Sequence, residues 1–350
     1  MQTLPKCGRL ARTISGLKLE AHGVAAVIRH EEREDIKIHA REPANWYVDD
    51  EGTICQRNAG DALRSAIERS SVKNAEGSVV DSIYIKGDLA VVDGEVFVNG
   101  HKVLAEQVAE PGNQVRQEPD KLYLLVPEAF RGGLAITISA GASVDIDTWN
   151  GGDISLTASA GSTVCIGPLA DLNSFVLNGQ GLGKVEIESI RTQSLRVSKQ
   201  GVGDLNIGPV VTDSFELIQT GMGKTKIAGV LAQTGVLTQR GSGKVDIGEL
   251  SAETFHLTQS GGSNMRIGDT ETQSFAAEKE GGCNLSITKL VTDSLQVSQV
   301  GLGDTSIDSG SAQSGSARTE GAGSIILRGR FDNISKRSSG IGRVEIQEPA

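Results

Sequence analysis

Two glycine turns followed by aspartate are the first candidates for a chemical site in this chain. Gly201-Val-Gly-Asp204 and Gly301-Leu-Gly-Asp304 have the residue types of calcium-binding β-helix repeats. Those repeats have a period of about nine residues and an aspartate in every copy. Here the turns belong to a 20-residue period, and lysine often replaces the aspartate, as at Lys184 and Lys224. We therefore expect no calcium and no other metal.

The same Gly-x-Gly pairs could cradle phosphate, as glycine-rich loops do at the start of a helix. No strand-loop-helix context surrounds any of these pairs. A dinucleotide-binding fingerprint is therefore excluded, and no cofactor is expected.

Chemistry on polysaccharides would need paired carboxylates, or arginine and lysine beside metal-binding aspartates, on one face of the protein. Acids recur at one repeat position only in every second copy, as in Asp213, Glu253 and Asp293. In a stacked fold this spacing corresponds to about 10 Å. His256 stands alone beside an apolar residue. We therefore predict that the protein is not an enzyme, and we assign no catalytic residue.

The element that must position all these residues is a 20-residue repeat. A period between about 20 and 50 residues is typical of solenoids and arrays. About ten or eleven copies fill the chain from residue 133 to its end. One glycine recurs at this spacing, at positions 141, 161, 181, 201, 221, 241, 261, 281, 301 and 321.

Within each copy, apolar residues alternate with polar ones, as in Leu195-Arg-Val197 and Val245-Asp-Ile247. Spacing of two is strand periodicity, and it gives each strand one buried and one solvated face. Three inward columns result, beginning at Phe175, Leu177 and Ile187 and continuing through the later copies of the repeat.

Twenty residues are too few for a strand-helix-strand unit, which needs roughly 30. They suit two or three short strands with tight corners. Thr192-Gln-Ser194 and its equivalents predict one corner, where hydroxyls bond the backbone locally. Gly-x-Gly predicts another, because glycine accepts positive φ. These corner glycines are Gly181, Gly183, Gly201, Gly203, Gly221, Gly223, Gly241, Gly243, Gly301, Gly303, Gly321 and Gly323.

The fold predicted from these patterns is all-β: a parallel β-helix solenoid with about 20 residues per coil. Right-handedness is expected from the general rule for parallel β connections. In-register stacking would place equivalent side chains about 4.8 Å apart, so like charges should be avoided there. The column after the Thr192 position alternates amide and acid, as in Gln193, Asp213 and Gln233.

The chain divides into three predicted segments. Residues 1–58 carry strands that open the solenoid, residues 59–117 form a small α+β insert, and residues 118–350 form the coils. In the insert, Asp61–Arg69 has the pattern of an amphipathic helix, and short strands begin at Ser82, Leu89 and Glu95. Asp93-Gly94 and Asn99-Gly100 are strong hairpin-turn signals. The insert either caps the first coil or provides the contact surface, with these two turns as contact residues.

The repeated Gly-x-Gly-x-Val-x-Ile run, seen as GKVEI and GKVDI, resembles the family called "putative auto-transporter adhesin, head GIN domain". The stretches Ile14–Glu20, Val24–Arg29 and Ile36–His39 are similar to the family's opening strands, and Leu122–Pro127 to the segment that leads into its coils. The likeness covers roughly residues 10–58 and 118–346. It implies a single-chain β-helix, usually exported or lipid-anchored, with no established activity.

Composition limits the partners. A net charge of −10 argues against nonspecific binding to nucleic acid. Met1–Glu20 contains no apolar run of a secretory signal, and no stretch is apolar enough to span a membrane. We therefore expect a soluble, cytoplasmic protein, although the resembled family is usually exported.

Three functional classes remain open from the sequence. The first is a noncatalytic structural or adhesin-like solenoid that presents a surface to a protein or glycan. The second is a cytoplasmic scaffold that self-assembles end to end through its terminal coils, since free coil ends present unpaired strand edges. The third is a carbohydrate-active β-helix enzyme.

Overall fold

The computed structural model describes ten strands between residues 16 and 127 by their backbone, and residues 131–139, 142–159, 161–181 and 183–348 in greater detail. Every regular element in these residues is a β-strand, and none is a helix. No helix of the described residues could therefore cross a bilayer. The helix predicted at Asp61–Arg69 lies outside the described residues.

The strands are β1 Gly16–His22, β2 Ala25–Glu31, β3 Lys37–Ala40, β4 Trp46–Val48, β5 Thr53–Gln56, β6 Ser82–Ile85, β7 Leu89–Val92, β8 Glu95–Val98, β9 His101–Glu106, β10 Lys121–Pro127, β11 Gly133–Ser139, β12 Ser143–Ile146, β13 Trp149–Asn150 and β14 Asp153–Ser159. They continue with β15 Thr163–Gln180, β16 Lys184–Gly201, β17 Asp204–Gly221, β18 Lys224–Gly241, β19 Lys244–Gly261, β20 Asn264–Gly281, β21 Asn284–Gly301, β22 Thr305–Ile307, β23 Gly310–Gly321, β24 Ile325–Arg328, β25 Arg330–Phe331, β26 Ile334–Gly340 and β27 Val344–Gln347.

The first compact unit is Met1–Asn173. Its parallel pairs include β1 with β11, β2 with both β10 and β12, and β11 with β14. Leu134 lies opposite Ile154, so the partner is one repeat further along the chain. Antiparallel pairs join β4, β5, β6 and β1 in series, and also β7, β8 and β9. The strands predicted near Ser82, Leu89 and Glu95 are thus β6, β7 and β8.

The second unit is Ser174–Ala350, and it consists of stacked coils. Each strand from β16 to β20 pairs in parallel with the strand that follows it, one repeat on, as Ile187 does with Ile207. Counted over the described residues, the chain forms a parallel β-solenoid of about ten turns. The predicted fold class is therefore confirmed.

Each long strand bends twice within a coil. Pairing between β16 and β17 skips residues 188–189 and residue 193, which leaves three straight runs. The bend at residue 193 is the predicted threonine corner, where Thr192 Oγ1 donates to the Ser194 carbonyl at 3.1 Å. The other bend was not predicted. There the backbones of successive coils come so close that a Cβ on Gly208 would overlap the Glu188 carbonyl oxygen.

The two glycines of a Gly-x-Gly corner have different physical roles. Gly241 has a φ of +109°, in the region that side chains rarely adopt. Gly243 does not have such a φ. Instead, a Cβ on Gly243 would overlap Gln219 Nε2 and lie 2.7 Å from the Gly223 carbonyl oxygen. The first glycine therefore makes the turn, and the second allows close approach between coils.

The interior contains the three predicted apolar columns. Phe175, Leu177 and Ile187 are buried, and so are the large apolar residues at equivalent positions of later coils. Phe255 and Phe275 stack with ring centroids 6.0 Å apart. Trp149, in the first unit, is also fully buried. Burial of each large apolar side chain contributes about 1.5–3 kcal/mol.

The surface column that follows the Thr192 position behaves as in-register stacking predicts. Gln313 Nε2 donates to Asp293 Oδ1 at 2.6 Å, so the alternation of acid and amide produces a bond between coils. Asn284 Nδ2 likewise donates to Asn264 Oδ1 at 3.0 Å. The expected avoidance of like charges does not hold everywhere, because Lys224 lies opposite Lys244 and Glu249 opposite Asp269. Asp246 lies near both lysine amines and offsets the first of these pairs.

Candidate functional site

A groove crosses five coils of the second unit along the unpredicted bend. Its volume is about 550 Å³. The floor is a column of buried residues that includes Val210, Val230 and Leu250. Side chains before and after each floor residue form the two sides. Five coils at about 4.8 Å give a length of about 19 Å, enough for about six extended residues.

The groove changes character along its length. Its first coils present apolar surface, with Leu231 52% exposed and Val211 37% exposed. Its next coils present the carboxylates of Glu249, Asp269 and Glu271. The far end carries Lys289 and Val291. One open site thus places an apolar region beside a mainly acidic one.

The acidic part corrects one sequence inference. We expected acids at equivalent positions only in every second coil, but Glu249 and Asp269 are register partners in adjacent coils. They were overlooked because they follow the bend at Gly248 and Gly268, and that bend was not recognised. Two carboxylates on neighbouring strands could attract a cation or a basic side chain.

Inside the coils lies a second feature that sequence reasoning missed. One inward column, here called the polar column, is buried and consists mainly of polar residues: Lys199, Gln219, Gln239, Gln259, Lys279, Gln299 and Thr319. The alternation that buries Leu195 and Val197 continues to Lys199, so the signal was present. Only apolar columns were considered as inward ones, so this column was not identified.

The glutamines of the polar column bond the corners. Gln219 Nε2 donates to the Gly223 carbonyl at 2.7 Å, and Gln239 Nε2 donates to the Gly243 carbonyl at 2.7 Å. The carbonyl at the second corner position is thus held by a side chain from its own coil. Because buried polar groups need such partners, the column stabilises the turn.

The two lysines of the polar column reach into the next coil. Lys199 Nζ donates to the Lys224 carbonyl at 2.8 Å and lies 3.5 Å from Thr225 Oγ1. Lys279 Nζ donates to the Asp304 carbonyl at 2.6 Å and to Thr305 Oγ1 at 2.7 Å. The separation between lysine and threonine along the chain is the same in both cases.

The inward column that contains Thr225 and Thr305 has threonine only where a buried lysine lies next to it. The column reads Val185, Leu205, Thr225, Val245, Met265, Leu285, Thr305 and Ile325. A hydroxyl replaces an apolar group in the two coils where a lysine needs a partner. This coupling within the repeat is a sequence signal that could have revealed the buried lysines.

Burial changes the proton affinity of both lysines. It lowers the pKa of Lys279 from 10.5 to about 7, against smaller raising effects of Cys283 and Asp304. Burial also lowers the pKa of Lys199 to about 8, partly offset by Asp204. The cause is the cost of removing an ammonium group from water. Because both side chains are enclosed by the coils, we assign them a structural role.

The sequence-predicted contact turns, Asp93-Gly94 and Asn99-Gly100, lie outside the described residues. The strands on either side of each turn are antiparallel partners, with Val92 opposite Glu95 and Val98 opposite His101. The predicted corner glycines lie between successive coils rather than in the groove. Within the described residues, no group of three or more His, Cys, Asp or Glu side chains could hold a metal ion.

The stacked coils define the protein as a β-solenoid. Residues 168–281 match the model of the family described as "Putative auto-transporter adhesin, head GIN domain". This match confirms the resemblance inferred from the Gly-x-Gly runs, and it includes the groove from Pro209 to Glu271. Searches among curated proteins and among solved structures gave no significant match.

Proposed function

We propose that this protein is a noncatalytic β-solenoid that binds an extended segment of a protein partner in the groove. The observation that carries the proposal is the groove itself, which joins an apolar end at Leu231 to the carboxylates of Glu249, Asp269 and Glu271. The adhesin-like family match supports a role in surface contact.

The lining favours one kind of ligand. Apolar side chains of an extended chain would cover Val211 and Leu231, while basic side chains would meet the carboxylates. No aromatic residue of the described coils lines the groove, and an acidic glycan would be repelled by Glu249 and Asp269. A segment that alternates apolar and basic residues therefore fits better than a glycan.

Reversing the groove charge should weaken binding of a matching peptide. The probe is a synthetic peptide of alternating leucine and lysine, measured by fluorescence anisotropy at low salt. Glu249→Lys combined with Asp269→Lys should reduce the affinity about tenfold, because each removed surface ion pair contributes up to about 1 kcal/mol and repulsion adds to the loss.

Glu253→Lys is the matched control, since Glu253 lies on the same strand, is exposed and does not line the groove. It should bind the leucine–lysine peptide almost as well as wild type does. A peptide of alternating leucine and glutamate should bind weakly to wild type. Equal affinity of both peptides, or equal losses in both variants, would contradict the groove as the contact site.

Removal of residues 60–117 with a short linker tests the insert. This deletion removes β6, which pairs with β1, and β9, which pairs with β3. The exposed strand edges should cause aggregation, detectable by light scattering, which supports a capping role. A monomeric, folded variant that no longer binds the leucine–lysine peptide would instead assign the contact to the insert and its turns.

The end-to-end scaffold and the enzyme are the alternatives. The last coil disfavours stacking because Lys336 pairs with Ala317 and Ser338 with Thr319, which places polar groups in inward columns. Inward charge protects a strand edge from pairing. For the enzyme, Glu249 and Asp269 would be the carboxylate pair. Turnover of pectin, alginate or a similar polymer that is lost in Glu249→Gln would overturn the noncatalytic proposal.

A further inference from the structure

The middle residues of the glycine corners form a line, here called the corner ridge, that runs along the second unit. It consists of Val202, Met222, Ser242, Gly262, Gly282, Leu302, Ala322 and Ile341, and in two of these corners Ser263 and Cys283 replace the second glycine. Large apolar side chains occur toward both ends: Val202 is 62% exposed, Met222 67%, Leu302 74% and Ile341 88%. Three consecutive positions between them, from Ser242 to Gly282, carry small residues. Exposed apolar side chains along one line of turn tips, with Val202 and Met222 on adjacent coils, indicate a contact surface.

The charges beside the corner ridge differ between its two halves. The half that contains Met222 is flanked mainly by basic residues, Arg240, Lys224 and Lys244, with one acid, Asp204. The half that contains Leu302 is flanked by the acids Glu280, Asp304 and Glu320. All of these residues are exposed. Among the described residues, Lys224 has only a 4.0 Å approach to Asp246, and no ion pair is found for Arg240 or Glu280.

The ridge and its flanking charges are complementary to those of a second copy that runs in the opposite direction. Gly262 is the midpoint between Met222 and Leu302, and residue 260 is likewise midway between Arg240 and Glu280. If a second copy faces the ridge with its coils running in the opposite direction, each position meets its counterpart across this midpoint. Met222 then faces Leu302, Arg240 faces Glu280, and Lys224 faces Asp304. Because the contact is two-fold, each pair forms twice.

We propose that the corner ridge is the interface of an antiparallel homodimer with its two-fold axis at Gly262. The small residues Ser242, Gly262 and Gly282 allow the two ridges to approach at the axis. A parallel arrangement would place Arg240 against Arg240 and Glu280 against Glu280, which is repulsive. An anionic lipid surface would attract the half with Arg240 but repel the half with Glu280.

This dimer is separate from the groove, which lies at another bend of the coil and uses other residues. The ridge spans eight coils, or about 34 Å, of which the seven from Val202 to Ala322 pair across the axis, and it is narrow. Small interfaces of this kind are typical of weak association, so we expect a dissociation constant in the range of about 1–100 µM. Ion pairs at its edge should make the association sensitive to salt.

Reversal of one charge, followed by reversal of its partner to restore the pair, tests the proposal in the 350-residue chain. Sedimentation velocity across 1–200 µM protein measures the dissociation constant for wild type, Arg240→Glu, Glu280→Arg and the combination of both. Each single reversal should raise the constant at least tenfold, because it places two like-charged pairs in the dimer. The double variant exchanges the charges and should restore the wild-type value within about threefold.

Two further variants keep the result interpretable. Glu253→Arg reverses an exposed charge at the threonine corner, away from the ridge, and should leave the dissociation constant unchanged. Met222→Ser with Leu302→Ser should abolish the dimer while leaving the thermal unfolding of dilute protein unchanged, since both side chains are exposed. A monomeric wild type at 200 µM would overturn the proposal. So would a double charge variant that fails to regain association, or ridge-dependent binding of the monomer to vesicles that contain phosphatidylserine.

Discussion

Replacing Gly241 and Gly243 together with valine is expected to unfold the coils around β18 and β19. Valine at Gly241 must adopt a φ of +109°, which costs about 1–3 kcal/mol. Valine at Gly243 must displace Gln219 Nε2, which the new Cβ would overlap, and the Gly223 carbonyl oxygen, which lies 2.7 Å from it. Overpacking of this kind costs about another 1–3 kcal/mol.

The damage should be local at first, because the stability of a solenoid is roughly a sum over neighbouring coils. Hydrogen exchange should therefore lose protection in residues 221–261 before it does so in β21. The matched control is Gly262→Val, since a Cβ there has only Ser242 Oγ nearby, at 4.0 Å. Both proteins are compared in dilute solution, where dimers do not form. Equal melting of the double variant and the control would show that the corner assignment is wrong.

Replacing Lys279 with glutamine is expected to remove much of the pH dependence of stability above neutrality. The pKa of Lys279 is about 7 in the folded protein and has an ordinary value of 10.5. Between these values the unfolded chain binds more protons than the folded one, so the free energy of unfolding of wild type should rise with pH. The slope from one such group approaches about 1.4 kcal/mol per pH unit.

Urea denaturation at half-unit steps from pH 6 to 10 measures this effect. In Lys279→Gln the rise between about pH 7 and 8 should be almost absent. A smaller rise above pH 8 should remain, because the pKa of Lys199 is about 8. Lys289→Gln, which alters an exposed lysine in the next strand, should retain the wild-type profile. A Lys279→Gln profile parallel to that of wild type would show that Lys279 is not buried as an amine.

The solenoid could be predicted well from the sequence because the residues that cause it recur in every repeat. A glycine at the same place in every repeat and the spacing of Leu195 and Val197 are sufficient to indicate coils and their inward faces. The sequence predicted the interior less well because an inward position was equated with an apolar one. Lys199 and Lys279 point inward although they are charged, and their threonine partners lie in a different coil.

The groove was harder to predict than the coils. Its shape depends on the bend at residues 208–209 and its equivalents, where Gly208 and Gly248 are required by close contact between backbones rather than by a turn conformation. Other coils tolerate Glu188 or Ala228 there, so no constant residue marks the bend. Without that bend, the neighbouring acids Glu249 and Asp269 could not be recognised as adjacent.

The lysine contacts also determine how this chain can be shortened or lengthened. A single coil looks interchangeable, since successive coils pair in the same register. Yet Lys279 belongs to one coil and Thr305 to the next, so removal of residues 300–319 would bring Ile325 to the position of Thr305 and leave the amine facing an alkyl group. The smallest unit that can be moved without loss of this contact is therefore a pair of coils. When recombination duplicates or deletes coils, its breakpoints should keep each such pair together.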